Sequence, residues 1–536
     1  MAIPTFDRES PGKTEADRRL TGTLRRPGSL FLTAKEYVTV LLVLAVCSGA
    51  AYFYRIATTV AYPYELDYGE GIVLWQAAHV SSLATAYHPI TQYPYIVFHY
   101  PPLYHAVSLA VSKLTGDLLL AGRLVSLLSA LGICLTLAWI VYRSVPARSP
   151  QLAKVGGAVL AGALPCGLKT MDWAQLMRVD MLALWLTFMG LALFILGRTA
   201  ISRYAAFVLF IAALYTRQTL IAGPLACLVV AAILNMRQAI KLLGFAVALG
   251  AAVMTWLALA THGQVLLHLF LYNQNPFSVR RAITYLDQNI QWTLPLLVLA
   301  GAAAVGPFLD VAKALSRRSL APLRVRLATS TYRLALFTFT VHFMFSAVLS
   351  LAIGKVGSNI NYFLECNLSA CALAGLLVTR LIWGSRKTAW AAPAAAVAYL
   401  LPLFLIAQQA ETGIHSMPGA ASQERAEYIR NSEALVRVLR ASPEPVMSEN
   451  MTLLYRAGKQ VPFEPAIVAG LAEMGTWDET PLINMIRKRT FSVMIIRQLE
   501  GSALYSPGVV SAIEEYYQPS ERYGAYIVYR PSGARR

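Results

Sequence analysis

The most constraining feature of this sequence is a succession of apolar runs, most of them close to the ~20 residues that an α-helix needs to cross a bilayer. Eleven runs can be marked, at 35–56, 118–142, 153–168, 180–197, 204–216, 219–234, 240–262, 290–311, 332–354, 361–382 and 388–408. Hydrophobic residues make up 57% of the chain and charged residues 14%, and the mean hydropathy is +0.52. We therefore predict an α-helical polytopic membrane protein with about eleven transmembrane helices. The two short runs at 204–216 and 219–234 could instead form one bent or re-entrant pair.

Positive charge is concentrated on one side of these predicted helices. With the N-terminus inside, Lys and Arg cluster in the segments that face the cytoplasm, namely residues up to Lys35, 143–154, 198–203, 237–241, 313–333 and 380–387. Because basic residues favour cytoplasmic loops, the pattern predicts a multi-pass plasma (inner) membrane protein with a cytoplasmic N-terminus and an extracytoplasmic C-terminus. The net charge of +18 follows largely from this topology, so we expect the lipid bilayer as a partner and no nucleic acid.

The chain divides into three predicted regions. Residues 1–34 are polar and basic and contain Pro and Gly, which indicates a disordered cytoplasmic tail, and residues 35–410 form the transmembrane domain, with a large first outer loop at 57–117. Beyond residue 410 the composition changes. QERAEYIRNSEALVRVLRA is typical of an amphipathic helix, PLINMIRKR of a shorter one, and PVMSEN, FSVMIIRQ and GAYIVYRP of short strands. These patterns predict a small extracytoplasmic α/β domain over 411–536.

An acidic cluster, PYELDYGEG at 63–71, follows the first apolar run in a chain where acids are scarce. It places Glu65, Asp67 and Glu70 within six positions. The simplest interpretation is a solvated acidic turn. A catalytic role becomes attractive only if complementary groups lie on the same side of the membrane.

The outer loops and adjoining helix ends up to residue 408 are predicted to hold nine basic residues, Arg55 among them. Three of the nine stand out: Arg178 in MDWAQLMRVDMLALW, Arg217 in LYTRQTLIAG and Lys355 in GKVGSNINYFLE. Positive charge is unfavourable in outer loops and costly within helices, so we expect negative partners. Local pairing of Arg178 with Asp180 or Asp172, and snorkelling of the other two side chains to lipid head groups, is one explanation. A binding site for a lipid phosphate is the other.

Several of these motifs together resemble a known superfamily. They are the acidic ELDYGEG in the first outer loop, FHYPPLYH before the next helix, RVD at the mouth of a later helix, and a C-terminal outer α/β domain. This layout resembles the GT-C superfamily of polytopic glycosyltransferases, in particular the protein O-mannosyltransferase and lipid A aminoarabinose transferase branch, most clearly over residues 35–220. The aminoarabinose transferase carries a Lys before its PPL-type element, whereas this chain has Tyr100 preceded by His99. The resemblance therefore predicts that His99 replaces part of that charge or that the cation comes from elsewhere.

The resemblance implies an enzyme of cell-envelope glycan biosynthesis that moves a sugar from a polyprenyl-phosphate donor to the hydroxyl of a glycan, lipid or protein acceptor at the outer face, with inversion. The chemistry needs a carboxylate to accept the hydroxyl proton and cations to stabilise the leaving phosphate. Asp67 is the preferred base, with Glu65 and Glu70 as alternatives. The predicted donor-phosphate residues are Arg178, Arg217, Lys355 and His99, and the predicted substrate-binding residues are Tyr68, Tyr100, Tyr104, Asp172, Asp180, Asn361 and Tyr362.

No metal or cofactor is predicted to be required. The histidines of the first outer loop do not have metal-ligand spacing and no cysteine accompanies them, although a divalent cation bridging Asp67 and the phosphate stays open. The alternative functions are a transporter or flippase of lipid-linked sugars, a polysaccharide polymerase, or a non-catalytic component of a membrane assembly. Neither the sugar nor the acceptor can be assigned from the sequence.

Overall fold

The computed structural model describes residues 33–197, 199–384, 400–408, 421–502 and 504–533. The first helix, α1 (Ala34–Val60), begins at a capping box in which the Thr33 side chain accepts a hydrogen bond from the Glu36 backbone N–H, and the Glu36 carboxylate accepts one from the Thr33 N–H. Such a box satisfies two backbone donors that the first turn leaves free. The predicted tail at 1–34 lies almost entirely outside the described residues.

Six helices in the described part of the chain are long and apolar enough to cross a membrane. They are α1, α5 (Leu118–Ser144), α10 (Met236–Ala260), α12 (Val279–Ser316), α14 (Thr331–Ser350) and α15 (Leu364–Gly384). A seventh span is possible if α6 (Gln151–Ala163) is combined with the 3-10 turns Leu164–Gly167 and Lys169–Gln175, which bend away by 76°. The shorter apolar helices are α7 (Asp180–Leu196), α8 (Ala200–Leu214) and α9 (Ala222–Leu234).

This architecture confirms the predicted fold class, a helical polytopic membrane protein with a small C-terminal sheet. Each predicted run up to 361–382 overlaps one of these helices, and the runs at 204–216 and 219–234 correspond to separate helices, α8 and α9. Most of the run at 388–408 lies outside the described residues, where only 400–408 is seen and is helical. Helix α12 starts well before the predicted run at 290, because Ser278 caps it by accepting a hydrogen bond from the Arg281 N–H.

Helix α15 lies at the centre of the membrane-embedded region, with most of its residues buried, and packs closely against α6. Glycines allow this approach: a Cβ at Gly157 would lie 1.8 Å from Thr379 Oγ1 and 2.5 Å from the Gly375 carbonyl oxygen. Small residues at helix contacts are the usual means of packing in a bilayer, where apolar burial alone does not drive association. The remaining described helices of this half are α11 (Gln264–Leu266) and α13 (Ala321–Thr329).

The region between α1 and α5 is folded and carries α2 (Gly69–His79), α3 (Leu83–Ala86) and α4 (Leu103–Thr115). Helix α2 starts inside the acidic motif and is buried along most of its length. Its N-terminal turn is therefore held in a fixed position relative to α5 and to the turn that precedes α7. This placement decides where each of the three carboxylates points.

In the described residues 421–502 and 504–533, the C-terminal part has five helices around a four-stranded sheet in the order β1-β2-β4-β3. The strands are β1 (Met447–Ser448), β2 (Met494–Ile496), β3 (Tyr517–Tyr523) and β4 (Tyr526–Pro531), with β1 and β2 parallel and the other pairs antiparallel. Taking residues 400–408 as α16, the helices are α17 (Ala421–Ala441), α18 (Met451–Ala457), α19 (Pro465–Glu473), α20 (Thr480–Arg487) and α21 (Pro507–Tyr516). The sequence predicted α17, α20, β1, β2 and β4, and the structure adds the rest.

This C-terminal part sits directly on the first outer loop. Arg456 forms an ion pair with Asp117, Trp477 Nε1 donates to the Ile90 carbonyl (3.0 Å), and the Tyr95 N–H donates to the Pro462 carbonyl (2.8 Å). The domain limits at 34/35 and 410/411 remain predictions, since the second of them falls among residues outside the description.

Candidate active site

The three carboxylates of PYELDYGEG have three different environments. Asp67 is partly exposed, with 27% of its side chain accessible, and its Oδ2 lies 3.4 Å from Arg178 Nη2. The same oxygen accepts a hydrogen bond from the Gly69 N–H (3.0 Å). Asp67 is thus held beside a cation while remaining accessible from outside.

Glu70 is completely buried and serves as a structural anchor. Its carboxylate accepts four hydrogen bonds, from Arg123 Nε (2.9 Å) and Nη2 (2.8 Å), from the Met177 N–H (2.7 Å) and from the Leu66 N–H (2.7 Å). Arg123 is also fully buried and donates to the Tyr64 carbonyl (2.6 Å). Because four bonds fill the acceptor positions of a carboxylate, Glu70 has none left for an acceptor hydroxyl, and its alternative role as base does not fit its surroundings.

Glu65 faces the C-terminal part of the chain. Its Oε2 lies 3.5 Å from Thr452 Oγ1 in α18 and 3.2 Å from the position that a Cβ at Gly71 would occupy. Burial raises the pKa of Glu65 well above its ordinary value, and the nearby Glu70 and Asp67 carboxylates add to this shift. Of the three candidates, Asp67 is the one that directly contacts a candidate phosphate-binding cation.

Arg178 pairs with Asp67 and not with the neighbours that the sequence suggested. Asp180 instead pairs with Arg217, and Asp172 pairs with Arg55 of α1. The Arg178 guanidinium lies 5.7 Å from the Trp173 ring centroid and directly against the backbone of Gly69, where an added Cβ would be 1.6 Å from Nη1. The local pairing offered as one of the two explanations is therefore not seen, and the glycine of the acidic motif makes room for the arginine.

A second ion pair of predicted site residues joins Asp180 and Arg217. Asp180 and Arg217 are almost fully buried, and Asn361 Nδ2 donates to the Asp180 carboxylate (2.9 Å). The Arg217 guanidinium lies 5.0 Å from the Tyr362 ring centroid. These contacts bring together four predicted site residues: Asp180 at the start of α7, Arg217 in the α8–α9 connection, and Asn361 and Tyr362 in the turn before α15.

Lys355 belongs to the same loop as Asn361 and Tyr362. Its backbone forms a bridge with Phe277, and within the described residues its ammonium group makes no ion pair. The side chain is half-buried. Lys355 therefore keeps an unpaired positive charge on the loop that carries Asn361.

His99 is adjacent to Arg178 but is neutral. Burial, together with the Arg178 charge, lowers the pKa of its imidazole to about 4. Its carbonyl oxygen accepts hydrogen bonds from Gln218 Nε2 (3.1 Å) and Asn273 Nδ2 (3.2 Å). The prediction that His99 replaces part of a cation does not fit these surroundings, because a neutral imidazole contributes polarity and no charge at neutral pH.

The predicted substrate-binding tyrosines are dispersed. Tyr104 is completely buried, and its hydroxyl donates to the Gly122 carbonyl of α5 (2.8 Å), so it packs in the core and has no surface for a sugar. The Tyr68 hydroxyl accepts from the Ala466 N–H at the start of α19 (3.3 Å) and faces the C-terminal part. Tyr100 is half-buried beside the His99 ring, with the centroids 4.2 Å apart. Of the predicted tyrosines, Tyr362 therefore contacts Arg217, and Tyr100 contacts His99.

Several buried polar atoms around the two ion pairs have no hydrogen-bond partner: Arg178 Nε, Trp173 Nε1, Gln218 Oε1 and Asn361 Oδ1. Leaving such an atom buried and unpaired costs about 1–3 kcal/mol, and a ligand that supplies the missing partners would recover that cost. Sequence analysis did not single out Gln218, Asn273 or Arg55 as partners in this arrangement. Gln218 follows Arg217 directly, and Arg55 was noted only as a basic residue of the outer side.

Three carboxylates of this site are engaged by arginines. Asp67 Oδ2 is already shared by Arg178 and the Gly69 N–H, and the other carboxylates, Asp180 and Glu70, are engaged by arginines. No group of three or more His, Cys, Asp or Glu side chains with metal-binding geometry occurs among the described residues.

The fold of this chain is similar over most of its length to those of solved polytopic glycosyltransferases with the GT-C fold. ArnT from Cupriavidus metallidurans, solved bound to undecaprenyl phosphate, superposes with a TM-score of 0.52 and 12% identity over 94% of this chain and 99% of that chain. The oligosaccharyltransferase of Archaeoglobus fulgidus in its apo form gives 0.54 and 12% over 93% and 75%. The same organism's AglB in complex with an inhibitory peptide and a dolichol-phosphate gives 0.53 and 11% over 92% and 74%.

These likenesses confirm the predicted GT-C resemblance at the level of the fold, and they agree with a multi-pass membrane protein. No protein-family model matches the sequence, and no curated protein matches it. At 11–12% identity, the reaction has to be argued from the site itself.

Proposed function

We propose that this protein is an inverting glycosyltransferase that moves a sugar from a polyprenyl-phosphate donor to an acceptor hydroxyl at the outer face of the membrane. The observation that carries the proposal is the partly exposed Asp67 carboxylate beside Arg178, at 3.4 Å, on a GT-C fold. Two neighbours with that fold were solved with undecaprenyl phosphate or a dolichol-phosphate. Their ligands support a lipid-phosphate donor for this chain.

In the proposed reaction Asp67 acts as general base. Its carboxylate accepts the proton of the acceptor hydroxyl while the hydroxyl oxygen attacks the anomeric carbon. The bond between that carbon and the phosphate oxygen breaks, and the electron pair stays on the phosphate. A single displacement from the opposite face inverts the anomeric centre and needs no covalent enzyme intermediate.

Arg178, Arg217 and Lys355 would stabilise the charge that remains on the phosphate. A guanidinium carries five N–H donors, so Arg178 can keep Asp67 on Nη2 while it presents other N–H groups to a phosphate. Its Nε is buried without a partner, which supports this second contact. Asp180 and Asn361 would position Arg217, since both belong to the buried cluster around it.

The distribution of Lys and Arg along the chain supports a reaction at the outer face of the membrane. We infer a cytoplasmic N-terminus and an extracytoplasmic C-terminal domain in the plasma (inner) membrane, so that Asp67 and the arginines face the outer leaflet. The domain over 411–536 would help to recognise a glycan, lipid or protein acceptor, because α18 and α19 cover the residues next to Asp67. No step of the proposed mechanism uses a metal ion.

The experiment is sugar transfer by purified protein, with labelled polyprenyl-phosphate sugars carrying mannose, arabinose or galactose and a crude envelope acceptor. Asp67→Asn removes the proton acceptor and preserves size, so transfer should fall by roughly 10²–10⁴-fold, with donor affinity little changed. Asp287→Asn is the matched control, because Asp287 is exposed and accepts a hydrogen bond from Gln291 Nε2 in its own helix (2.8 Å).

Transfer by Asp67→Asn within a few fold of wild type would remove Asp67 from the mechanism. Absence of transfer from every donor, combined with movement of the lipid-linked sugar across a proteoliposome membrane, would favour the transporter or flippase alternative.

A further inference from the structure

A cavity of about 380 Å³ lies outside the candidate active site. It is formed by the turns after α6, by α12, by the start of α15 and by residues 400–408, and its lining includes none of Asp67, Arg178 or Arg217. The proposed glycosyl transfer makes no use of it.

The inner wall of this cavity is polar. Thr170, Asn289, Thr293 and Asn367 are all buried there, and Asn367 Nδ2 donates to Asn289 Oδ1 (3.0 Å). Thr293 Oγ1 also donates to the Asn289 carbonyl (2.6 Å), so the two asparagines and Thr293 have the hydrogen bonds that burial requires, and they give the cavity a polar wall. The lining therefore suits a ligand with hydrogen-bonding oxygen atoms.

The cavity also carries an unpaired positive charge. Lys169 is the only charged residue among the described lining residues. Its Nζ lies 4.3 Å from the Trp292 ring centroid, and it forms no ion pair within the part of the chain that the structure describes. With no carboxylate in that lining, the cavity selects for an anion.

One hydroxyl group in the cavity wall has no hydrogen-bond partner among the described residues. The Thr170 side chain is 2% exposed, and its Oγ1 has no hydrogen-bond partner. A hydroxyl buried in this way normally has a partner. Placed next to Lys169 in sequence and in the same lining, it is a donor available to an anionic ligand.

The depth of the cavity corresponds to the membrane interface. Asn289 and Trp292 lie where the apolar run of α12 begins, at about residue 290, and Trp and Lys side chains are characteristic of the head-group level. Trp292 and Phe404 are exposed at the rim, so the opening has an apolar border that acyl or prenyl chains can follow.

From this arrangement we propose that the cavity is a second lipid site, which binds the phosphate head group of a membrane lipid through Lys169 and the Thr170 hydroxyl. A bilayer glycerophospholipid and a polyprenyl phosphate share that chemistry. The site goes beyond the proposed glycosyl transfer and does not depend on it.

Native mass spectrometry of the full chain in detergent tests the site directly, with dioleoyl phosphatidylglycerol and undecaprenyl phosphate as separate probes. The Arg178→Gln background is used throughout, so that binding at the candidate active site does not mask the result. Lys169→Gln should weaken retention of a probe at least about tenfold, as expected for the loss of a charge-assisted contact. Lys113→Gln, which removes an exposed lysine of α4, should have no effect.

A loss confined to phosphatidylglycerol identifies a bilayer phospholipid as the occupant. A loss confined to undecaprenyl phosphate identifies a polyprenyl lipid, and a loss of both supports a head-group site without chain preference. If Lys169→Gln retains both probes as well as Lys113→Gln does, the proposal is wrong.

Thr170→Val separates binding from folding. Replacing an unpartnered buried hydroxyl by a methyl group should leave the lipid-free protein equally or more stable. The rise in unfolding temperature that phosphatidylglycerol or undecaprenyl phosphate produces should nevertheless shrink. A variant that keeps the full lipid-induced rise for both probes would overturn the role of Thr170.

Discussion

Gly69→Ala tests the contact between Asp67 and Arg178 without changing any charge. A Cβ at position 69 would lie 1.6 Å from Arg178 Nη1 and 2.5 Å from Cζ. Since non-bonded heavy atoms sit at about 3.5–4.0 Å, the guanidinium has to move by about 2 Å. It can do so because it is the free end of a flexible side chain, and alanine suits the helical position, so the protein should fold normally.

The expected loss follows from the geometry. Arg178 and Asp67 are 3.4 Å apart, and a displacement of about 2 Å takes the guanidinium out of hydrogen-bonding range of both the carboxylate and a phosphate bound beside it. Loss of one charge-assisted contact costs about 1.5–3 kcal/mol. Donor affinity and transfer rate should therefore each fall by about 10- to 100-fold.

The assay compares Gly69→Ala, Arg178→Gln and the double variant by undecaprenyl-phosphate affinity and by initial transfer rate. If both single changes act through the guanidinium, the double variant should be no worse than Arg178→Gln alone. Gly470→Ala is the control, because nothing lies within 4 Å of a Cβ at that helical position. Wild-type donor affinity in Gly69→Ala, or additive losses in the double variant, would refute the reasoning.

Three further predictions follow from the described contacts. Glu70→Gln leaves Arg123 buried without its counter-charge and should destabilise the protein by about 3–5 kcal/mol. Glu521→Gln, the control, breaks the exposed pair with Arg530 (3.0 Å) and should cost under about 1 kcal/mol. Equal unfolding midpoints for the two variants would contradict this prediction. Burial raises the pKa of Glu464 from 4.5 to about 7, so the native state holds this proton more tightly and its stabilisation is lost as pH rises from about 4.5 to 7. Glu464→Gln should gain up to about 3 kcal/mol over wild type at pH 8 and almost nothing at pH 4.5, and parallel stability curves would contradict it. Transfer should persist after treatment with EDTA, because Asp67 is already engaged by Arg178, and full recovery of a lost activity by Mg²⁺ or Mn²⁺ would show otherwise.

The order of the membrane helices was predictable from the sequence. A span has to satisfy its own backbone hydrogen bonds and present apolar side chains to lipid, so the runs that contain α1, α5, α10 and α14 are visible without tertiary information. In the C-terminal part, β2 and β4 were visible as apolar β-rich segments. Strand β3 was missed because YQPSERY is mostly exposed and includes a proline, which lowers its strand signal.

The sequence predicted most of the residues of the site but fewer of the contacts between them. Asp67, Arg178, Asp180, Arg217 and Asn361 were all candidates, and the structure pairs Asp67 with Arg178 and groups Arg217 and Asn361 around Asp180. Tyr104 and His99 did not fit their predicted roles, because both are affected by burial. The Tyr104 hydroxyl is used in helix packing, and burial keeps the His99 imidazole neutral. Burial of a single side chain depends on neighbours that are distant in sequence.

The sequence by itself determined that apolar helices cross a membrane, that basic residues interrupt them at a few places, and that an acidic turn follows the first helix. Only the tertiary structure decided that Arg178 contacts Asp67 and not Asp180, and that Glu70 forms a buried ion pair with Arg123. In sequence Arg178 and Asp180 are two residues apart, and that proximity suggested a pair. Asp180, however, begins α7 and points towards Arg217 and Asn361, whereas the Arg178 side chain extends over Gly69. Which carboxylate an arginine meets is set by helix ends that pack together from distant parts of the chain, and local spacing carries no information about that packing.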